Sequence, residues 1–301
     1  MKKVAILLAT YNGERWIDEQ LDSLLAQHAV AVTVFVSDDS STDGTVARLQ
    51  ARGDTRVQLL PMAMRQGSAA GNFFRLLRDV DFNDFDAISL SDQDDIWYPG
   101  KLQRALALMD ARHVDAVSSN VLAFWSDGRE QLLRKSQPQQ CWDHHFEAAG
   151  PGCTYVLSRR LAESLQQMLC RHQELLRGVS LHDWFIYCYA RSQGYSWHID
   201  AKPSMAYRQH DGNVIGANQG LAAARARLAK IADGWYQEQI LLIAKLCGRD
   251  QEQPVVWLHQ PGLRNTLRLL ARVRHMRRYW RDQLFLALTF ILFTLRSRSS
   301  I

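Results

Sequence analysis

The stretch Asp86–Pro99, DAISLSDQDDIWYP, contains both the pattern that predicts the fold and the pattern that predicts a functional site. Its first five residues, as far as Leu90, have the composition of a buried strand. Three carboxylates then follow within four positions: Asp92, Asp94 and Asp95. Like charges this close repel one another, so a cation, protonation of one carboxyl group or water must compensate them. The stretch therefore predicts a strand that ends in a charged cluster.

The first half of the chain alternates strand-like and helix-like segments. Besides Asp86–Leu90, four apolar, β-rich runs predict buried strands: Val4–Leu8, Val32–Val36, Val57–Leu60 and Val114–Phe124. Apolar residues at helical spacing predict helices over residues 16–25, over Gly71–Val80 and after Pro99. The Ser/Thr/Asp cluster at residues 37–45 predicts the start of a further helix, which ends at about Gln50. Strands that alternate with helices indicate βαβ units, so the predicted fold class is α/β with a mostly parallel sheet.

Three polar clusters follow predicted strands directly: ATYNGE (residues 9–14), SDDSSTDG (37–44) and SDQDD (91–95). In parallel sheets, ligands bind outside the carboxyl ends of the strands. We therefore expect the three clusters to line one crevice. In an extended chain Asp92 and Asp94 would project to the same side and could hold a hard cation such as Mg²⁺ or Mn²⁺. The alternative is a solvated turn that caps the helix after Pro99.

Composition and charge exclude some classes of protein. The chain has 301 residues, 47% hydrophobic and 22% charged, which is typical of a globular protein. Its net charge of +5 is concentrated in residues 255–301, which contain nine arginines and one acid. The remainder is close to neutral, and we expect no nucleic-acid partner.

The cysteines and the N-terminus indicate a cytoplasmic protein. The five cysteines are scattered and include no CxxC pair, which argues against a disulfide framework or a zinc site and for a reducing compartment. Residues 1–9 imitate a signal peptide, but their apolar run of about six residues is shorter than the 7–15 of a signal-peptide core. We interpret this run as the first strand.

Seven segments, taken in order, resemble the inverting glycosyltransferases of family 2. They are ATYNGE, LxSLLAQ (21–27), VSDDSSTDGT (36–45), LSDQDDIWYPGKL (90–102), GCTYVLS (152–158), HDW (182–184) and YRQHDGNV (207–214). The likeness covers residues 3–216 and is greatest to rhamnosyltransferase-type members of bacterial surface-polysaccharide pathways. It implies a GT-A fold, with a nucleotide-binding half over residues 1–125 and an acceptor-binding half over 126–216. Residues 217–301 would form a helical, basic extension.

The resemblance also implies which residues bind the nucleotide sugar. Thr10, Tyr11 and Asn12 would contact the nucleoside, and the ring of Tyr11 could stack on its base. Asp39 would accept a hydrogen bond from the imide N–H of uracil or thymine. Further nucleotide-sugar contacts would come from Asp92, Gln93 and Arg208. The alternative for Asp38 and Asp39 is helix capping, which we assign to Asp38 or Asp43.

The metal and the chemistry would involve a second group of residues. By the same resemblance, Asp94 would be the direct ligand of Mg²⁺ or Mn²⁺, with Asp92 and His210 beside it, although a lone histidine is often structural. Asp183 matches the general base of the family, and its alternative role is the N-cap of a helix. The sugar or acceptor pocket would contain Gly152, Cys153, Thr154, His182 and Trp184. Cys153 fits packing better than catalysis, because an inverting single displacement needs no covalent intermediate.

Two departures from the family pattern bear on function. Ser40 stands where the family often has glycine, a mild change in a loop. The QxxRW signature of processive synthases is absent, so the enzyme should add one sugar or a few.

The basic C-terminus has apolar residues at helical spacing from Leu263 to Leu284, with arginines at most other positions. The uncharged run Leu284–Leu295 has twelve residues, which is too short for a bilayer span of about 20. We expect helices that lie on an anionic membrane surface. The alternatives are packing on the catalytic domain and helix-mediated homo-oligomerisation.

Together these features predict an inverting, metal-dependent, non-processive glycosyltransferase, peripheral on the inner face of the bacterial cell membrane. The expected donor is dTDP-L-rhamnose, and the expected acceptor is a lipid-linked or lipopolysaccharide glycan. The alternatives are a UDP-hexose-dependent transferase of the same fold, a non-catalytic nucleotide-sugar-binding subunit and a phosphohydrolase. A phosphohydrolase would need a phosphate-binding lysine and a further acidic motif that the sequence does not offer.

Overall fold

The computed structural model describes residues 1–210, 233–260 and 262–299, with side chains as far as Leu295. The end of the YRQHDGNV motif, from Asp211, therefore lies outside the described residues, as do the side chains of Arg296 and Arg298. The chain divides into two compact units. The first comprises residues 1–136, 150–183 and 194–217, and the second comprises 137–149, 184–193 and 218–301. The boundary that we expect at residue 216 stays a proposal, because its surroundings are not described.

The first unit contains every strand of the described residues. The strands are β1 (Lys2–Thr10), β2 (Val30–Asp38), β3 (Val57–Leu59), β4 (Ala87–Ser91), β5 (Ile96–Trp97), β6 (Ala116–Ser119), β7 (Val121–Trp125), β8 (Glu130–Leu133), β9 (Val156–Ser158), β10 (Trp197–Asp200) and β11 (Met205–Gln209). Its helices are α1 (Ile17–Leu25), α2 (Thr45–Ala51), α3 (Ala69–Asp79), α4 (Lys101–Arg112), α5 (Arg159–Arg171) and α6 (Gln173–Leu176), with a 3-10 helix at Gly152–Thr154. The first turn of α7 (His182–Ser192) also belongs to this unit.

Seven strands form the central sheet in the order β10-β6-β9-β4-β1-β2-β3. All neighbours pair in parallel except β9, which is antiparallel to both β4 and β6. A second sheet has the order β5-β11-β7-β8. The prediction of an α/β fold with a mostly parallel sheet is confirmed.

Strand β1 is the centre of the core because it is covered on both faces. Val4, Ile6 and Leu8 belong to a buried cluster with Leu21 of α1 and Leu102 of α4. The intervening residues of β1 are equally buried, and α3 packs against this strand. Burial on both faces explains why the strand reads as a continuous apolar run rather than an alternating one.

The prediction of a single strand over Val114–Phe124 is wrong. The chain forms β6 and β7 instead, which belong to different sheets and are separated by Asn120. The Asn120 amide donates to the carbonyl of Ala201 (2.8 Å) and accepts from the backbone N–H groups of Lys135 and Ser136. These partners lie far along the chain, so the break could not be read from local periodicity.

The second unit is helical. Besides the rest of α7 it contains α8 (Trp235–Leu246), α9 (Gln253–His259), α10 (Leu263–Arg272) and α11 (Trp280–Ser299), with 3-10 helices at Asp143–His145 and Val273–His275. None of the described helices is long and apolar enough to cross a membrane.

The basic C-terminal segment forms helices, as predicted, with a break between α10 and α11. Arg278 is buried, where it pairs with the carboxylates of Asp143 (3.0 Å) and Glu147 (3.4 Å). Arg277 likewise pairs with Glu147 at 3.7 Å. These two arginines therefore bind acids of the helical unit, whereas the membrane prediction places the arginines at its surface.

Candidate active site

The strand ends bring the predicted polar clusters side by side. In the parallel register Thr10 at the end of β1 pairs with Asp38 at the end of β2, and Leu8 pairs with Ser91 at the end of β4. The Thr10 hydroxyl donates to the Asp38 carboxylate at 2.8 Å. The turns that follow β1, β2 and β4 therefore share one edge of the sheet.

The turn after β1 is braced by the acidic segment. Gln93 accepts from the backbone N–H of Tyr11 and donates to the carbonyl of the same residue, both at 2.9 Å. The side chain of Asn12 accepts from the backbone N–H of Thr42 at 2.8 Å. Gln93 and Asn12 thus act on the protein backbone here, and their contacts to a nucleotide stay predictions. The Tyr11 ring is partly exposed, with the Arg65 guanidinium 4.9 Å from its centroid.

The three aspartates after β2 have different partners. Asp38 accepts from the backbone N–H of Ser41, and Asp43 accepts from the backbone N–H and hydroxyl of Thr45, the first residue of α2. These two carboxylates organise the loop and the helix start, but neither is the N-cap of α2, which is Gly44. Asp39 is buried and accepts from the backbone N–H groups of Gln66 and Gly67. A carboxylate has further lone pairs, so Asp39 can still accept a hydrogen bond from the base of a nucleotide.

The loop residue that departs from the family pattern lies in a strained conformation. Ser40 has a φ of 66°, in the left-handed region that favours glycine. The position therefore requires a backbone conformation that an L side chain rarely adopts. This explains physically why glycine is common there in the family that the sequence resembles.

The acidic cluster is not an extension of the strand. Strand β4 ends at Ser91, so the argument that Asp92 and Asp94 alternate along an extended chain is wrong. Burial and the charge of Asp94 raise the pKa of Asp92 to about 7. Burial, together with the charges of Asp94 and Asp92, also raises the pKa of Asp95 well above its usual range. The cluster is therefore short of positive charge.

The donor atoms present fit a hard divalent cation. One carboxylate oxygen each of Asp92 and Asp95 and the Cys153 sulfur lie within 4.8 Å of one another. Oδ2 of Asp95 is buried without a hydrogen-bond partner among the described residues. An unsatisfied buried acceptor costs about 1–3 kcal/mol, which a bound cation would offset. Carboxylate oxygens suit Mg²⁺ or Mn²⁺, whereas burial raises the pKa of the Cys153 thiol and keeps it a poor ligand.

Two residues of this cluster received no role from the sequence. Asp95 is the more buried neighbour of Asp94, and its backbone N–H donates to Gln20 at 2.7 Å. Lys101, in the first turn of α4, is buried with Nζ on the carbonyl of Cys153 and 3.1 Å from the ring centroid of Trp97. Burial lowers the pKa of Lys101 to about 7. The sequence offered no signal for a role of Lys101 beyond its position six residues after Asp95.

Asp94 contacts Arg208 in β11 and His210, which follows that strand. Its Oδ2 lies 2.7 Å from Nε2 of His210, whose ring stacks on Trp16 at 4.2 Å. The Arg208 guanidinium donates to the backbone carbonyl of Asp94 at 2.8 Å and pairs with Glu19. The structure thus brings Asp94 and His210 together, while Arg208 binds protein groups. The metal role of the first pair and the diphosphate role of Arg208 stay predictions.

The predicted base stands beside the GCT segment. Asp183 lies in the first turn of α7, where its β-carbon would be 3.3 Å from a β-carbon added to Gly152. The charge of Asp183 also contributes to the raised pKa of Asp92. His182 stacks on Phe73 with ring centroids 4.0 Å apart, and burial lowers the pKa of His182 to about 3. A β-carbon added to Gly152 would lie 2.3 Å from Nε2 of His182. Gly152 therefore leaves the space that the His182 ring fills.

Thr154 and Trp184 complete the predicted pocket residues. Thr154 is buried, and its hydroxyl donates to the carbonyl of Pro151 at 2.7 Å. Trp184 is buried in the second unit, where it stacks on Tyr236 and donates to the carbonyl of His144 at 3.0 Å. These are the contacts of packing residues, and their roles towards a sugar stay predictions.

A second group of potential ligands lies in the helical unit. His144, His145 and Glu252 offer nitrogen and oxygen atoms within 4.8 Å of one another. His145 is already satisfied, because its Nε2 lies 3.0 Å from Glu252 and its Nδ1 lies 3.7 Å from the sulfur of Cys188. Nδ1 of His144, in contrast, is buried without a hydrogen-bond partner among the described residues.

Comparisons with known proteins identify the family of this chain. The model of the family "Glycosyl transferase family 2" matches residues 5–162. The dTDP-rhamnosyl transferase RfbG of Shigella flexneri is 41% identical over 246 residues, which are 81% of this chain and 85% of that protein.

Solved structures show the same fold. TarS of S. aureus (residues 1–349) has a TM-score of 0.56 at 16% identity, covering 98% of this chain and 81% of that one. The mannosyltransferase PcManGT of Pyrobaculum calidifontis, solved with GDP-Man and Mn²⁺, has a TM-score of 0.50 at 17% identity, covering 97% and 86%. The predicted fold class and enzyme class are confirmed, and the chain belongs to glycosyltransferase family 2.

Proposed function

We propose that this glycosyltransferase transfers L-rhamnose from dTDP-L-rhamnose to a glycan acceptor, with inversion at the sugar carbon and with a divalent cation. The observation that carries the proposal is that neighbouring residues of one segment contact both groups. A β-carbon on Gly152 would lie 3.3 Å from that of Asp183, and the Cys153 sulfur lies within 4.8 Å of carboxylate oxygens of Asp92 and Asp95. We therefore assign the cation and the base to one region, next to the edge where the polar turns meet. The rhamnose donor is supported by the 41% identity to a dTDP-rhamnosyl transferase.

Each residue group has a separate task in this mechanism. Tyr11 and Asp39 hold the nucleoside, and the acidic cluster would hold the cation that neutralises the diphosphate. A bound Mg²⁺ or Mn²⁺ would neutralise the charge that grows on the leaving diphosphate. Asp183 accepts the proton of the acceptor hydroxyl, whose oxygen attacks the sugar carbon on the face opposite the diphosphate. The bond between the acceptor oxygen and the sugar carbon forms as the bond between that carbon and the diphosphate oxygen breaks. The configuration at the sugar carbon is therefore inverted.

The neighbouring charges favour a base that is active when the cation is present. Asp92 and Asp183 repel each other in the absence of compensating charge. A cation held by Asp92 and Asp95 would offset this repulsion and favour the ionised carboxylate of Asp183, which is the form that accepts a proton. Metal and base are thereby coupled through the electrostatics of one small region.

The acceptor that we propose is lipid-linked or part of a lipopolysaccharide, and the enzyme acts on it at the inner face of the bacterial cell membrane. The concentration of arginine in residues 255–301 supports this placement, since anionic lipids attract such segments.

Calorimetric titration of the full chain tests the donor and the cation. We expect dTDP-rhamnose to bind more tightly than UDP-glucose in Mn²⁺, and binding to weaken strongly in excess EDTA. Preference for UDP-glucose would keep the enzyme class and remove the rhamnose donor. Equal binding with and without EDTA would contradict the cation site.

The variant Asp183→Asn tests the base. It should bind dTDP as the unchanged enzyme does and lose dTDP release by about 10²–10⁴-fold, the usual contribution of a general base. The matched control is Asp81→Asn, which removes an exposed carboxylate from the loop before β4. Release by Asp183→Asn at the rate of this control would refute the assignment.

A further inference from the structure

Helices α10 and α11 of the second unit leave a large apolar surface uncovered. Of the fifteen large hydrophobic side chains that are exposed among the described residues, eight lie between Leu263 and Leu295. Leu284, Leu288 and Leu295 are each more than half exposed. Single exposed leucines need no explanation, but a contiguous group on neighbouring helices marks an interaction surface.

The exposed residues of α11 follow the period of the helix. Leu284, Leu288, Ile291 and Leu295 recur at intervals of three or four residues and therefore share one face. They extend over about 16 Å of helix, at 1.5 Å per residue. The other side of α11 is also apolar and is buried in the unit through residues such as Phe290. A helix that served only the core would have polar residues on its solvent side.

Helix α10 continues the same surface. The hydroxyl groups of Thr266 in α10 and Thr294 in α11 are hydrogen-bonded, so the two helices are in direct contact. Each threonine is followed by an exposed leucine, Leu267 and Leu295. The exposed leucines of both helices therefore lie along the line where α10 and α11 meet. We name this surface, formed by Leu263, Leu267, Leu284, Leu288, Ile291, Leu292 and Leu295, the leucine face.

The charges around the leucine face are of one sign. Four exposed arginines belong to the same segment: Arg264, Arg272, Arg274 and Arg281. Within the described part of residues 253–299 the only acid is Asp282. The buried Arg278 is paired with acids of its own unit and adds nothing to the surface. None of the four exposed arginines has an ion pair among the described residues, and Arg264 and Arg281 each stand about one helical turn before a leucine of the face.

We propose that the leucine face docks on a lipid bilayer that carries anionic headgroups. The leucines would enter the boundary between headgroups and acyl chains, and the exposed arginines would contact the headgroups. The exposed Trp280, at the start of α11, suits the headgroup level. A second copy of the chain is a poorer occupant, because it would bring arginine against arginine.

This inference deepens the proposed membrane placement by naming the surface, and it does not depend on the donor. Co-sedimentation of the full chain with vesicles tests it. The vesicles contain phosphatidylcholine alone or phosphatidylcholine with phosphatidylglycerol. We expect the chain to bind the anionic vesicles at least tenfold more tightly, and to release from them as salt is raised.

Matched variants identify the surface. Leu284→Gln with Leu288→Gln should reduce binding to anionic vesicles by about tenfold or more, since insertion of a leucine contributes strongly to binding. Leu132→Gln, at an exposed leucine of β8 in the first unit, is the control and should bind like the unchanged chain. All these positions are exposed, so the variants should fold. Calorimetry with dTDP-rhamnose should not distinguish them, which separates this test from that of the donor.

Two results would overturn the inference. The first is equal binding of the leucine variants and the control to anionic vesicles. The second is a dimer of the unchanged chain in light scattering that the leucine variants convert to monomer, without any vesicle binding. The leucine face would then be an interface between copies of the chain.

Discussion

Replacing Gly152 by alanine would place a methyl group where the His182 ring now lies. The added β-carbon would be 2.3 Å from Nε2 of His182 and 3.3 Å from the β-carbon of Asp183. The first distance is about 1 Å shorter than ordinary van der Waals contact. Gly152 is outside the left-handed region, so the backbone accepts alanine and the effect is purely steric. Phe73 blocks retreat of the imidazole on one side, since the rings stack at 4.0 Å.

The displaced ring would move the start of α7 and with it the carboxylate of Asp183. A misplacement of about 1 Å in a reacting group costs about 10²-fold in rate. Overpacking of this kind also costs about 1–3 kcal/mol of stability. We therefore expect Gly152→Ala to fold with a lowered melting temperature, to bind dTDP normally and to lose about 10²-fold in dTDP release.

The assay is dTDP release from dTDP-rhamnose with envelope glycolipids of the source organism as acceptor, alongside thermal unfolding. Gly100→Ala is the control, because an added β-carbon there meets nothing within 4 Å. Gly152→Ala should cost less stability in the His182→Ala background than in the unchanged chain, since the clash is absent there. A Gly152→Ala enzyme with unchanged stability and turnover would refute the packing argument.

Three further predictions concern other parts of the chain. Gly13→Ala would place a β-carbon 2.3 Å from Oε1 of Gln93 and displace the amide that bonds the backbone of Tyr11. We therefore expect dTDP to bind about tenfold more weakly in calorimetry. Unchanged affinity would contradict this. Ser40→Gly should raise the free energy of unfolding in urea by about 1 kcal/mol, because glycine relieves the left-handed backbone, and a destabilised variant would contradict the strain argument. Burial opposes protonation of His145, but hydrogen bonds to Cys188 and Glu252 prevail and raise its pKa to about 9. The stability from this charge is full below the unfolded-state pKa near 6.5 and is lost as pH rises through 9, so Glu252→Gln should cost about 1 kcal/mol in urea unfolding at pH 6 and less at pH 9.5. A cost that does not change with pH would contradict it.

The alternation of strand and helix could be predicted from the sequence because it depends on local periodicity. The apolar runs of β1 and β4 are buried on both faces, as in a parallel sheet that helices cover. The polar turns after these strands then meet at one edge by topology alone. The acidic cluster could be nominated as a site from its position after a strand, whereas Asp39 and Asp183 were nominated by their match to the motifs of the family.

Contacts between distant parts of the chain decided the rest. Asn120 separates β6 from β7 through partners near residues 135 and 201, which no local pattern reveals. Asp95 and Cys153 are close only in the folded chain, and their shared burial alters their protonation. Arg278 and the exposed Arg281 look alike in sequence, yet Arg278 has two buried acids to pair with. Periodicity is a property of neighbours along the chain, whereas burial and charge compensation depend on what the fold places opposite each side chain.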